Sequence, residues 1–168
     1  MTSLYVRALS LILVFSMTPA LGQQAASWAE NYQSGLKSLY RHDYMQTEIF
    51  LTRALESAEV LGKENSKVAT TLNTFGELYE QKFNFDMAEK SFKRAIDILE
   101  HTETGTGPAL ALSLANLAHL YSNQGKYVMA EPLYKRSLAI RQQRLGQMHP
   151  HVALSLENLA SVYSLQGK

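Results

Sequence analysis

Nineteen residues from Pro108 to Lys126 recur from Pro150 to Lys168, 42 positions further on, with thirteen identities. Pro108/Pro150, Asn116/Asn158, Tyr121/Tyr163 and Gly125/Gly167 are among them. Stepping back by the same interval places Leu72 under Leu114, Phe75 under Leu117, Gly76 under Ala118 and Tyr79 under Tyr121. Further along, Phe85 falls under Tyr127, Ala88 under Ala130, Phe92 under Tyr134 and Arg94 under Arg136. A fixed period over three copies requires stacked supersecondary units, each burying its apolar face on its neighbours. A fainter unit precedes them, with Gly35 aligned to Gly76, Tyr44 to Phe85 and Arg53 to Arg94. A weaker match suits a terminal repeat, which has one face towards solvent.

Each unit reads as two helices. Leu114, Leu117, Ala118 and Tyr121 recur at i, i+3, i+4 and i+7, which is one helical face. Gly125 supplies a left-handed stop, and Ala130, Leu133, Tyr134, Ser137 and Leu138 form the face of a second helix. The short turn between makes the two antiparallel neighbours. Ala118 and Ala130 let the backbones approach, with Tyr121 and Tyr134 packed around them, so Tyr79, Tyr121 and Tyr163 read as a core stripe. Pro132 lies within the second helix, where it removes a backbone donor. The expected architecture is all-α, an array of antiparallel helical hairpins of about three and a half repeats. The units run 27–61, 66–100, 108–145 and 150–168, the last of them incomplete.

The stretches "VATTLNTFGELYEQKFNFDMAEKSFKRAIDIL" and "ALSLANLAHLYSNQGKYVMAEPLYKRSLAIRQQRLGQMHPHVALSLENLASVYSLQGK" resemble the tetratricopeptide repeat. The 42-residue spacing, "AEPLYKRSLAIR" and "LGQMHPHVA" resemble the kinesin-light-chain variety of it. The resemblance covers residues 27–168 and implies a tetratricopeptide-type α-α superhelix. It departs from the family pattern at Phe83, which replaces the turn glycine, at Ser137, which replaces an alanine, and in the degenerate first unit.

Ahead of the array, "MTSLYVRALSLILVFSMTPALGQQ" has Arg7 before an apolar run of about ten residues, Ala8 to Met17, then Pro19. Ala20 and Gly22 are small residues placed for a cut before Gln23. That order is the order of a secretory signal peptide over residues 1–22, and the run is short of the roughly 20 residues of a spanning helix. The chain is therefore expected to be exported, periplasmic or secreted, with an uncleaved N-terminal membrane anchor as the alternative. The formal net charge is +1. Loss of Arg7 with the leader leaves a neutral chain, which excludes neither sign of partner but does not advertise nucleic acid or an anionic membrane. No cysteine is present, so disulfides, thiolate nucleophiles and cysteine metal sites are excluded.

Motifs for phosphate loops, dinucleotide folds, nucleophile elbows and zinc helices do not occur. His149 and His151 flank Pro150 and offer two imidazoles, but the family resemblance accounts for "HPHVA" as a turn between repeats. "GTGP" at 105–108 lacks a phosphate-loop lysine and reads as a turn. No metal, cofactor or catalytic residue is expected.

Stacked helical pairs curve with their first helices inside. Residues outside the apolar stripes of those helices then face a groove. The candidate partner-binding residues are Asn73, Thr74 and Glu77 in the second unit. In the third unit they are Leu112, Asn116, His119 and Asn123, and in the fourth Glu157, Asn158 and Ser161. An amide donates and accepts at once, which suits the backbone of an extended peptide. The resemblance implies such a role for asparagines at these positions, matched directly by Asn116 and Asn158. A role in local capping or hydration stands beside it. Arg94 and Arg136, on second helices, either reach the groove or form surface ion pairs.

The expected function is non-enzymatic: a protein-interaction scaffold holding a partner peptide or helix in an exported or envelope assembly. Two alternatives are the repeat region of a longer protein with a catalytic domain beyond residue 168, and a structural array that self-associates through its C-terminal helix. That helix lacks a mate carrying the Ala130 and Tyr134 equivalents within the sequence.

Overall fold

The structure, a computed structural model, describes residues 22–23, 26–102 and 107–167. Seven helices follow one another, with no strand among the described residues. They are α1 over 26–40, α2 (Tyr44–Val60), α3 (Ser66–Gln81), α4 (Phe85–His101), α5 (Pro108–Asn123), α6 (Tyr127–Leu145) and α7 (Pro150–Leu165). The leader expected over residues 1–22 lies, except for Gly22, outside the described residues. No described helix is long and apolar enough to cross a membrane.

The ends of the first helices use one device four times. His42, Phe83, Gly125 and Gly167 all sit at positive φ, at 58, 56, 73 and 71°. In the first three, the next amide donates back five residues: Asp43 N to Ser38 O, Asn84 N to Tyr79 O and Lys126 N to Tyr121 O. These 6→1 bonds satisfy carbonyls at the end of each first helix. The side chains of Asp43 and Asn84 then cap the following helices. Phe83 adopts the glycine conformation although its Cβ makes it costly, about 1–2 kcal/mol for an ordinary residue. Its side chain is 80% exposed and loses little packing on removal. Phe83→Gly is therefore expected to raise the midpoint of thermal unfolding by about 2–4 °C, as about 1 kcal/mol does in a domain of this size. A lowered midpoint would mean that the Phe83–Phe85 ring contact outweighs the backbone strain.

Packing follows the alignment of the repeats. A Cβ added to Gly76 would lie 2.3 Å from the Phe92 ring, so the ring occupies the space that a side chain would need. In the next unit Ala118 and Tyr134 hold the equivalent places, both buried. Ser137 is also buried there, and its hydroxyl donates to Ala111 O at 2.6 Å. That bond explains why a serine is tolerated where the repeat favours alanine: the buried hydroxyl has an acceptor. α6 runs through Pro132 without interruption.

The apolar core passes from unit to unit rather than closing within one. Ala58 of α2, Val68 and Leu72 of α3, Leu99 of α4, Leu110 and Leu114 of α5 and Ile140 of α6 belong to one buried cluster. On α7, Leu159 and Val162 are buried, while Leu156 and Leu165 remain exposed. The tyrosine stripe is core with a polar tip. Tyr121 is buried, whereas the half-buried Tyr79 donates its hydroxyl to Glu48 at 3.5 Å under the Lys82 ammonium.

First and second helices are joined differently. α3 packs directly on α5, as expected if the first helices line the inside of a curved array. The second helices are bridged by long ion pairs, Arg94 to Glu59 (2.7 Å) and Arg136 to Glu100. The two arginines therefore take the ion-pair alternative, joining α4 to α2 and α6 to α4. Each pair is half exposed and contributes about 0–1 kcal/mol.

Candidate binding face of the first helices

The residues expected to face a groove separate into two groups. Asn73 and Thr74 are 6% and 3% exposed and belong to the joints between helices, not to an open face. Asn73 Nδ2 donates to Ser113 Oγ of α5 at 2.7 Å, leaving Oδ1 buried with no donor among the described residues. The Thr74 hydroxyl meets Tyr32 OH of α1 at 3.1 Å, and Trp28 Nε1 donates to Thr71 Oγ1 at 3.0 Å. The physical reason is the close approach of α1, α3 and α5. Residues one position off the apolar stripe are covered by the next first helix, so small polar groups there bond across the seam.

One turn further along α3 and α5 the face opens. Glu77, Glu80, Gln81, Asn116 and His119 line a hollow of about 430 Å³. Asn116 Nδ2 donates to Glu77 Oε1 at 3.3 Å. Glu80 Oε1 accepts from Asn123 Nδ2 at 2.9 Å and lies 3.2 Å from His119 Nδ1. Asn116, His119 and Asn123 are thus brought together with Glu77 and Glu80. Glu80 was not among the candidates, although its offset of about one repeat from His119 and Asn123 is the same offset that joins the other seams. One N–H of the Asn116 amide is used by Glu77, which leaves its second N–H and its carbonyl for a ligand.

The hollow continues. Gln81 also lines a neighbouring space of about 590 Å³ between the ends of α1 and α3, with Leu36, Leu39, Tyr40 and His42. On the other side Leu112 of α5 is 47% exposed, and its α7 counterpart Leu154 is exposed as well. Glu157 and Ser161 are exposed and Asn158 is half-buried on α7. The face therefore runs from an apolar end at α1, through an acidic centre, to a mixed end at α7.

Titration at the centre is shifted by its surroundings. Burial, and to a lesser degree the Glu80 charge, raise the Glu77 carboxyl, while the Asn116 hydrogen bond works against them. The bond to Glu80 raises His119 above the usual imidazole value. Both groups bind protons more tightly folded than unfolded. The stability His119 supplies is complete below its unfolded pKa and lost as pH rises through the folded one. The cost of burying ionised Glu77 is present above its raised pKa and disappears as pH falls through it. Both act in one direction, so these two groups stabilise the fold as pH falls from neutrality towards about 4.5. Thermal unfolding followed against pH is expected to show this as a difference: Glu77→Gln with His119→Gln should lose part of the acid-side gain. Parallel curves for the two proteins would contradict the assignment.

His149 has a local structural use. Its Nδ1 accepts from the His151 amide at 3.2 Å as the N-cap of α7, and the two rings stack with centroids 5.1 Å apart. No group of three or more His, Cys, Asp or Glu side chains suited to a metal occurs among the described residues.

Comparison with known proteins places this geometry in a family. Solved structures with the same fold include BtubC (BKLC) from P. vanneervenii, at 20% identity and a TM-score of 0.72, covering 88% of this chain and 67% of that one. Another is a putative kinesin light chain of Podosopora anserina with nearly identical TPR-like repeats. It is 18% identical with a TM-score of 0.73, covering 83% of this chain and 66% of that one. The chain thus spans about two thirds of these proteins, and at such identities the likeness is one of fold. No curated protein matches the sequence. No catalytic family is indicated, and the tetratricopeptide repeat is commonly a protein-interaction scaffold. The tetratricopeptide repeat family model matches residues 27–101 and 109–168, which is most of the sequence, and the chain belongs to that family.

Proposed function

We propose that this protein is a non-enzymatic scaffold that holds a segment of a partner protein along the first helices of its repeats. The observation that carries this reading is the set of accessible polar and apolar groups on three first helices, centred on the hollow at Glu77, Asn116 and His119 and including Leu112, Leu154, Glu157, Asn158 and Ser161. Core packing does not use them, and a bound backbone needs amide and carboxylate groups of this kind, spaced along a groove. The working place is an exported or envelope assembly, reached through the leader at 1–22. The mature chain then begins at Gln23, as sequencing the N-terminus of the native protein would reveal.

Asn116→Ala combined with Asn158→Ala is the direct test. Each change removes one amide from that set, and a hydrogen bond to a bound backbone contributes about 0.5–1.5 kcal/mol. The pair is expected to weaken capture of the native partner by about tenfold or more, with unchanged helical circular dichroism. Unaltered capture would remove the face from consideration.

A further inference from the structure

Arg141 of α6 occupies the position that Leu99 holds one repeat earlier. Leu99 is buried in apolar surroundings, so packing at this position does not call for a charge. Arg141 is nevertheless only 7% exposed. Its Nη1 donates to Ser155 Oγ at 2.7 Å and to the His151 carbonyl at 3.2 Å, both on α7. Those two neutral acceptors use the donors of one nitrogen. Among the described residues no carboxylate pairs with the guanidinium, and its Nε and Nη2 have no hydrogen-bond partner. A buried charge without a counter-charge is costly, and here burial depresses the guanidinium pKa.

Arg141 lines a hollow of about 280 Å³ together with Pro108, Ala109, Leu112, Leu145 and His151. The walls are mostly apolar, and α5 and α7 both begin at its edge. The start of α5 has no side-chain cap, so its amide end adds positive potential there. A guanidinium held by one nitrogen presents its Nε and Nη2 as a planar fork, which matches the two oxygens of a carboxylate.

We propose that this hollow is a binding site for a carboxylate carried on a short apolar stem, with Arg141 gripping the carboxylate and Leu112 and Leu145 covering the stem. Ser155 acts by orienting the guanidinium. An acidic side chain, a chain terminus and a free acid share this chemistry. Because Leu112 also belongs to the proposed binding face, the site adjoins it, but the test does not depend on that face.

The test is a titration of the full chain with hexanoate, followed by proton–nitrogen NMR at Arg141 Nε and at the Leu112 and Ser155 amides. A saturable shift in the millimolar range is expected, and hexanamide, which lacks the charge, should produce none. Acetate should bind about tenfold more weakly for want of the stem. Arg141→Met should abolish the response, and Arg141→Lys, which keeps charge but not the fork, should weaken it about tenfold. Comparing acetyl-Ala-Glu-Ala-amide with acetyl-Ala-Ala-Leu bearing a free terminus then assigns the source by the tighter binder. No saturable shift, an equal shift with hexanamide, equal affinity for inorganic phosphate, or an unchanged response in Arg141→Met would each overturn the proposal. If Arg141→Met does not fold, the hexanamide and Arg141→Lys comparisons still decide it. Hexanoate binding alongside failed partner capture would leave this site standing and remove the groove reading alone.

Discussion

Phe92→Ala is expected to destabilise the array by about 3–5 kcal/mol, the usual cost of emptying a fully buried aromatic site. Phe92 has no exposed surface, and its ring lies against the bare backbone at Gly76. Against a total stability of about 5–15 kcal/mol, this single change brings the fold near its limit. The glycine supplies an internal check. Gly76→Ala alone forces a Cβ into the ring and should cost about 1–3 kcal/mol. In the Phe92→Ala background that clash is gone, and the same change should be neutral or stabilising by up to about 1 kcal/mol through helix propensity. Urea unfolding of the four proteins measures the coupling. Simple additivity would mean that the ring does not occupy the space over Gly76.

Leu120→Ala is expected to cost about 2–5 kcal/mol, whereas Leu112→Ala on the same helix should stay within about 0.5 kcal/mol of the parent. Leu78, Leu120 and Val162 occupy one position in successive repeats, and all three are completely buried. Leu112 is eight residues earlier on α5, about two turns, yet half of it is open to solvent. The same residue type on the same helix thus distinguishes the part that holds the array together from the part left for a ligand. Denaturant midpoints of the two variants read the difference, and equal losses would show that Leu112 is core.

The fold was legible because its period is long and its core positions are chemically plain. Leu114, Leu117, Ala118 and Tyr121 can be aligned with their counterparts without knowing any contact, and Gly125 marks a turn that His42 and Phe83 then repeat against their own preferences. The binding face was legible only in part. Helical spacing tells which residues leave the apolar stripe. It does not tell how near the next first helix comes, and that distance decides that Asn73 and Thr74 are sealed while Asn116 and His119 stay reachable. Bonds such as Asn116 to Glu77 and Asn123 to Glu80 join residues about one repeat apart, which no local pattern displays. Arg94 and Arg136 show the same limit: their equivalence was visible, but their partners Glu59 and Glu100 lie on another helix. Arg141 left a trace, a charged residue at a position where the preceding repeat has leucine, but its burial follows from the seating of α7.

If the first helices form the partner-binding face, a bound partner must cover them and leave the second helices open. Amide hydrogen exchange of the chain alone and in complex with its captured native partner tests it most directly. Added protection is expected on α3, α5 and α7 around Glu77, Asn116, His119, Asn158 and Ser161, with α2, α4 and α6 unchanged. Protection confined to the second helices around Arg94 and Arg136 would contradict it.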